Sequence, residues 1–84
     1  MANLYSGLLS TEGAYEKLET LTEVEFTSGK IYTIQIQNPA FVRRGTTGEG
    51  FYIFDGKPFQ YTADSDDLYV RIDSAYSYVN IDEN

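Results

Sequence analysis

One stretch of the chain is rich in glycine, Gly45-Thr46-Thr47-Gly48-Glu49-Gly50, and loops of this kind can cradle a phosphate. Such a cradle aims backbone N–H groups from a helix N-terminus at the anion, usually with a lysine beside it. Here the loop leads into Phe51-Tyr52-Ile53-Phe54, a strand-like run, and carries Glu49 instead of a lysine. It reads as a hairpin loop. Asp64, Asp66 and Asp67 offer carboxylates of the kind Ca²⁺ takes. Their spacing lacks the fixed frame and closing glutamate of a helix–loop–helix site, and aspartates gather in turns because they bond to their own backbone. A solvated turn without metal is the expectation. Paired carboxylates also run glycoside hydrolysis, which needs one acid held neutral beside one that is ionised. The acidic residues fall mainly in turns and on outward faces, where two such environments do not form. Cysteine and histidine are both missing, which removes thiol nucleophiles, disulfides, zinc sites and histidine acid–base chemistry. The expectation is a binding or assembly module, not an enzyme, with no cofactor.

The elements that position such side chains must come from 84 residues, one domain at most. A hydrophobic content of 42% is enough for a core and too high for a disordered chain. Domains of this size bury only about 60–65% of their unfolded surface, so stability is thin. Thirteen acidic against six basic residues leave a net charge of −7, which opposes contact with nucleic-acid phosphates or an anionic membrane. Met1-Ala2-Asn3-Leu4 has no basic start, and Leu8-Leu9 is too short for the apolar core of a signal peptide. No run approaches the roughly 18 apolar residues of a membrane span. A soluble chain made in a cytoplasm is expected, with neither nucleic acid nor membrane as partner.

Eight tyrosines and five phenylalanines, beside many Val, Ile and Thr, suit a pleated sheet. Residues 20–27 alternate, with Val24 and Phe26 against Glu23 and Glu25. After Ser28-Gly29-Lys30, residues 31–37 set Tyr32, Ile34 and Ile36 against Thr33, Gln35 and Gln37, so the two runs predict a β-hairpin. Asn38-Pro39 breaks the ladder, and a short extended piece follows over residues 41–44. Residues 51–55 and 59–62 flank Asp55-Gly56-Lys57-Pro58, a second hairpin signal. Leu68, Val70 and Ile72 point inward from the next run, and residues 76–81 place Val79 and Ile81 opposite Tyr78. The sum is an all-β fold, a small antiparallel β-sandwich or barrel of six to seven short strands. Residues 1–19 give no clear element, since 1–13 lack a period and Tyr15, Leu18 and Leu21, recurring at threes, fit two helical turns or a strand start equally. They read as an N-terminal arm ahead of a single β domain over residues 20–84.

If Leu68, Val70 and Ile72 face the core, Tyr69 and Arg71 face out. Tyr52 and Phe54 oppose Phe51 and Ile53, so that strand is apolar on both faces and must be covered twice. Aromatic and arginine side chains are enriched at interfaces because they bring large buried area on few rotatable bonds. The candidate interface is therefore Tyr52, Phe54, Tyr69, Arg71 and Tyr78, joined by Leu4, Tyr5, Leu8 and Leu9 of the arm. Cross-strand pairing on a wet face is the bland alternative. Sugar stacking on exposed tyrosines is another, with no tryptophan to serve as a platform.

Thr27-Ser28-Gly29-Lys30-Ile31-Tyr32-Thr33-Ile34-Gln35 resembles the T-x-G-K-x-Y-x-I-Q opening of small β-rich structural proteins of tailed bacteriophages. The later pieces of those proteins, a Gly-led strand, a Tyr-Thr strand and a Leu-Tyr-Val-Arg strand, have counterparts here. They are Gly50-Phe51-Tyr52-Ile53, Phe59-Gln60-Tyr61-Thr62 and Leu68-Tyr69-Val70-Arg71. The likeness spans residues 22–81, and the long first segment with Tyr5, Tyr15 and Leu18 departs from it. It implies a virion component, as a capsid decoration, head-fibre or tail-associated module. Such a protein docks on a phage capsid or tail protein, is often a homo-oligomer (trimer or dimer), and has no catalytic residue to carry over. The runner-up is an acidic nucleic-acid mimic that inhibits a host DNA-binding protein, although Lys30, Lys57, Arg43, Arg44 and Arg71 interrupt its carboxylates. A carbohydrate-binding tail module comes third.

Overall fold

The protein, seen in a computed structural model, is described over residues 2–45, 50–53 and 56–84. Eight strands and one short helix follow in order: β1 (Ala2–Leu9), β2 (Glu16–Lys17), α1 (Leu18–Thr22), β3 (Ile31–Ile36), β4 (Ala40–Arg44), β5 (Phe51–Ile53), β6 (Phe59–Thr62), β7 (Leu68–Ile72) and β8 (Ser77–Glu83). They build two four-stranded sheets, ordered β1-β8-β3-β6 and β2-β7-β4-β5, with every described pair antiparallel. The fold is all-β, with eight strands among the described residues where six or seven were expected. Among the described residues no helix is long and apolar enough to cross a membrane.

Period-two alternation makes the strands and aims their apolar side chains. Tyr32, Ile34 and Ile36 of β3, Leu68, Val70 and Ile72 of β7, and Val79 and Ile81 of β8 are all buried, as their spacing requires. Residues from both sheets meet in one cluster, joined by Leu18 of α1. Each such side chain contributes about 1.5–3 kcal/mol on burial. Phe26 closes the cluster near one end, edge-on to Tyr32 at 4.7 Å and to Tyr61 at 5.3 Å between ring centroids.

Connectivity departs from the local reading. Among the described strands only β4 and β5 are both consecutive and paired, and the glycine-rich loop joins them. The hairpin expected over residues 20–37 does not form. Residues 18–22 wind into α1, which ends at Glu23 in the left-handed region (φ 60°), and β3 pairs instead with β6 and β8. Val24 and Phe26 do turn inward, but their stretch has no partner strand. Its backbone donors are taken by side chains, Phe26 N–H by Glu19 Oε2 at 2.9 Å and Thr27 N–H by Tyr32 Oη at 2.7 Å. The second expected hairpin fails for a different reason. β5 and β6 lie in different sheets, so the segment containing Gly56-Lys57-Pro58 crosses between sheets.

The expected N-terminal arm is also corrected. Residues 2–9 are β1, paired along β8 from Ala2 opposite Glu83 to Leu9 opposite Ser77. Two features hide its period. A bulge between Asn3 and Tyr5 shifts the phase, and Gly7 occupies an inward position beside Tyr5, whose ring lies where a Cβ would sit. Leu9 is buried and Tyr5 packs on the core.

Two outcomes follow from these contacts. Deleting residues 2–9 strips one flank from the buried Val79 and Ile81, so the cooperative thermal transition seen by circular dichroism should be lost; a truncated chain that melts like the full one refutes this placement of β1. Tyr61 donates its hydroxyl to the Asp66 carbonyl at 3.1 Å, and burial raises its pKa while the Arg44 guanidinium opposes the shift. The fold thus favours the neutral phenol, whose contribution holds below the usual tyrosine value of about 10 and is lost as pH rises through the higher folded value. Melting temperature should therefore fall above about pH 10 more steeply in the wild type than in Tyr61→Phe, and equal slopes would exclude Tyr61 as the cause.

Candidate functional site

The outward face of the β2-β7-β4-β5 sheet collects aromatic and arginine side chains into one lattice. With Leu68, Val70 and Ile72 inward on β7, Tyr69 and Arg71 point out; with Ala40 and Val42 inward on β4, Phe41 and Arg43 do the same. The register then sets neighbours. Phe41 lies opposite both Arg71 and Tyr52, while Tyr69 lies opposite both Arg43 and Lys17. Tyr15, just ahead of β2, places its ring 4.0 Å from the Arg43 guanidinium carbon and 5.3 Å from that of Arg71. Arg71 is also 4.6 Å from the Phe41 centroid, Phe41 meets Tyr52 edge-on at 5.2 Å, and Arg43 reaches Tyr69 at 5.9 Å.

Each guanidinium is held by ring faces, an arrangement in which the planar cation is attracted to the aromatic quadrupole. Arg71 forms no ion pair among the described residues, so its N–H groups can serve a planar acceptor such as a carboxylate. Lys17 is engaged, 3.1 Å from Asp67, whose hydrogen bond and charge hold the ammonium pKa above its usual value. Lys17, Arg43 and Arg71 are three of the six basic residues of a chain with net charge −7. This face therefore gathers half of the chain's basic side chains, with Lys17 paired to Asp67. The chemistry on offer is recognition by stacking and charge-assisted hydrogen bonds.

The residues singled out from sequence separate into two groups. Tyr52, Tyr69 and Arg71 come together on this face, and Phe54 lies outside the described residues. Tyr78 projects from the other sheet, 64% exposed, opposite Leu8 of β1. Leu4 and Leu8 lie exposed on the edge strand β1, whereas Leu9 is buried and Tyr5 is half-buried on the core. Tyr15, Phe41 and Arg43 were not singled out. Alternation across Ala40-Phe41-Val42-Arg43 held the signal for two of them, but Tyr15 joins only because the chain doubles back beside β7.

Of the other motifs, residues 46–49 lie outside the described residues. Asp64 binds Arg44 at 2.6 Å and caps the Asp66 N–H at 2.9 Å, and Asp67 faces Lys17. Among the described residues no group of three acidic side chains is placed to hold a metal ion. On the opposite sheet a shallow cleft of about 280 Å³ is walled by Ser6, Gln35, Gln37, Asn80 and Tyr78. A larger cleft of about 410 Å³ lies between β5 and β6, where Phe51, Ile53, Phe59 and Tyr61 share its walls with Arg43 and Arg44. The chain matches no family model, no curated protein and no solved structure.

Gly50 holds the lattice together from below. A Cβ there would strike the Tyr15 hydroxyl and come within 3.1 Å of its Cζ and 3.2 Å of the Val42 carbonyl oxygen. Gly50→Ala should push Tyr15 off both guanidinium groups and cost about 1–3 kcal/mol in denaturant unfolding, as overpacking does. Adding Tyr15→Phe, which removes the struck oxygen, should return part of that loss. An additive double variant would show that the two residues do not touch.

Proposed function

We propose that the protein is a non-catalytic docking module and, on the resemblance of its strand motifs, a structural protein of a tailed-bacteriophage particle. The two sheets, sharing one core, are read as the small β-sandwich of such modules. The observation that carries the reading is the arginine–aromatic lattice, in which Arg71 sits between Tyr15 and Phe41 and makes no ion pair among the described residues. Rigid aromatic rings supply binding energy at low entropic cost, and the arginines on this sheet face are already held against rings. The partner surface on the capsid or tail would present carboxylates and flat apolar area to that face. Surplus acidity elsewhere keeps the free chain soluble and steers which face approaches.

A sugar-binding tail module is the second reading, favoured by a cleft that sets the side chains of Ser6, Gln35, Gln37 and Asn80 beside the exposed ring of Tyr78. The charge-mimic reading gains less, since Asp64, Asp67 and Glu83 are each taken by a cation.

Expressed during infection by the phage that carries it, the wild-type chain should band with particles in a density gradient. The Tyr69→Ala/Arg71→Ala variant, with unchanged circular dichroism, should remain unbound. A wild-type chain that never bands with particles overturns the virion reading, and a variant that bands normally removes this face from it.

A further inference from the structure

We propose that the free edge of β1 is a self-association seam, on which a second copy of this chain adds its own β1 antiparallel and joins two four-stranded sheets into one continuous sheet. This surface lies on the sheet opposite the docking lattice and does not depend on that reading.

Among the described residues the two sheets have four edges, and these are unequal. β2 has two residues, β5 three and β6 four, with Lys57-Pro58 directly before β6, whereas β1 has eight. Natural sheets blunt their edges with short strands, charges or proline, because an open ladder templates another strand. β1 reads Ala-Asn-Leu-Tyr-Ser-Gly-Leu-Leu, without a proline or a charge in a chain holding thirteen acidic and six basic residues. Its bulge lies at the start, and from Tyr5 to Leu9 pairing with β8 is unbroken, so the far side of that stretch offers a regular row of backbone groups.

The occupant follows from symmetry and charge. Leu4 and Leu8, 38% and 53% exposed, stand two residues to either side of Ser6. Antiparallel pairing centred on Ser6 runs through Tyr5, Ser6 and Gly7 of each copy and brings Leu4, the residue at the bulge, beside the other copy's Leu8, the self-complementary pattern a two-fold contact requires. It also extends the exposed row of Leu8 and Tyr78 across the seam. Asp82 and Glu83 lie opposite Asn3 and Ala2, at one end of β1. Antiparallel addition sends the two acidic ends about 20 Å apart at about 3.4 Å per residue, beyond the screening length of about 8 Å in physiological salt. Parallel addition would stack them. Between two molecules of charge −7, β1 itself brings no like charge to the seam.

Sedimentation equilibrium of the whole chain tests the seam. Wild type should shift from its monomer mass of 9.5 kDa toward twice that as concentration rises. Leu8→Lys, which places a charge on the edge, should weaken association by about tenfold or more while leaving circular dichroism unchanged. Arg71→Ala, on the other sheet, should associate like wild type even if particle binding is lost. In the wild type alone, amide hydrogen exchange of residues 5–9 should slow with concentration. A wild type that stays monomeric to its solubility limit, a folded Leu8→Lys that associates normally, or exchange independent of concentration each overturns the proposal.

Discussion

Ile34 of β3 and Ile81 of β8, directly paired and without exposed surface, anchor the molecule. Their burial is possible only because the other sheet supplies Val70, Ile72 and Ala40 to the same cluster. Neither sheet can cover its own inward face. Since the chain passes from one sheet to the other at nearly every connection, the two must form together, from contacts distant in sequence. The crossings are tied by hydroxyls that satisfy buried backbone groups. Thr11 Oγ1 accepts from Ile72 N–H at 3.0 Å, and Ser77 Oγ accepts from Asn38 N–H at 3.0 Å.

That shared interior leaves the two outer faces free to differ. One presents Asn3, Ser6, Asn80 and Asp82 in a mutually hydrogen-bonded patch, with Gln35 close by. The other presents rings with guanidinium groups stacked between them. The first is polar, and at one end of the sheet Glu83 meets Lys30 at 3.2 Å. The second gathers positive charge and apolar area, the combination from which tight protein contacts are made.

Much of this was legible in the order of the residues. Alternation gave the inward sets Tyr32-Ile34-Ile36 and Leu68-Val70-Ile72 their correct direction, and with them the outward Tyr69 and Arg71. What failed was partnership. Turn signals at Ser28-Gly29-Lys30 and at Asp55-Gly56-Lys57-Pro58 look alike whether the chain folds back on its neighbour or passes to another sheet. Sequential strands pair about two-thirds of the time, and this chain follows the minority. β1 escaped notice because a bulge and a glycine erase its period, and residues 24–26 kept a strand's alternation without a strand's ladder.

The sequence by itself determined that the fold is all-β, that its surface is acidic, and which side chains along each central strand point inward, because these depend on composition and on a two-residue repeat. The tertiary structure alone decided which strands are neighbours, and so placed Tyr15 over Arg43 and Arg71 and left β1 at an open edge. Pairing is chosen by how two incomplete sheets bury each other's apolar faces, a property of the whole interior that no local stretch of residues contains.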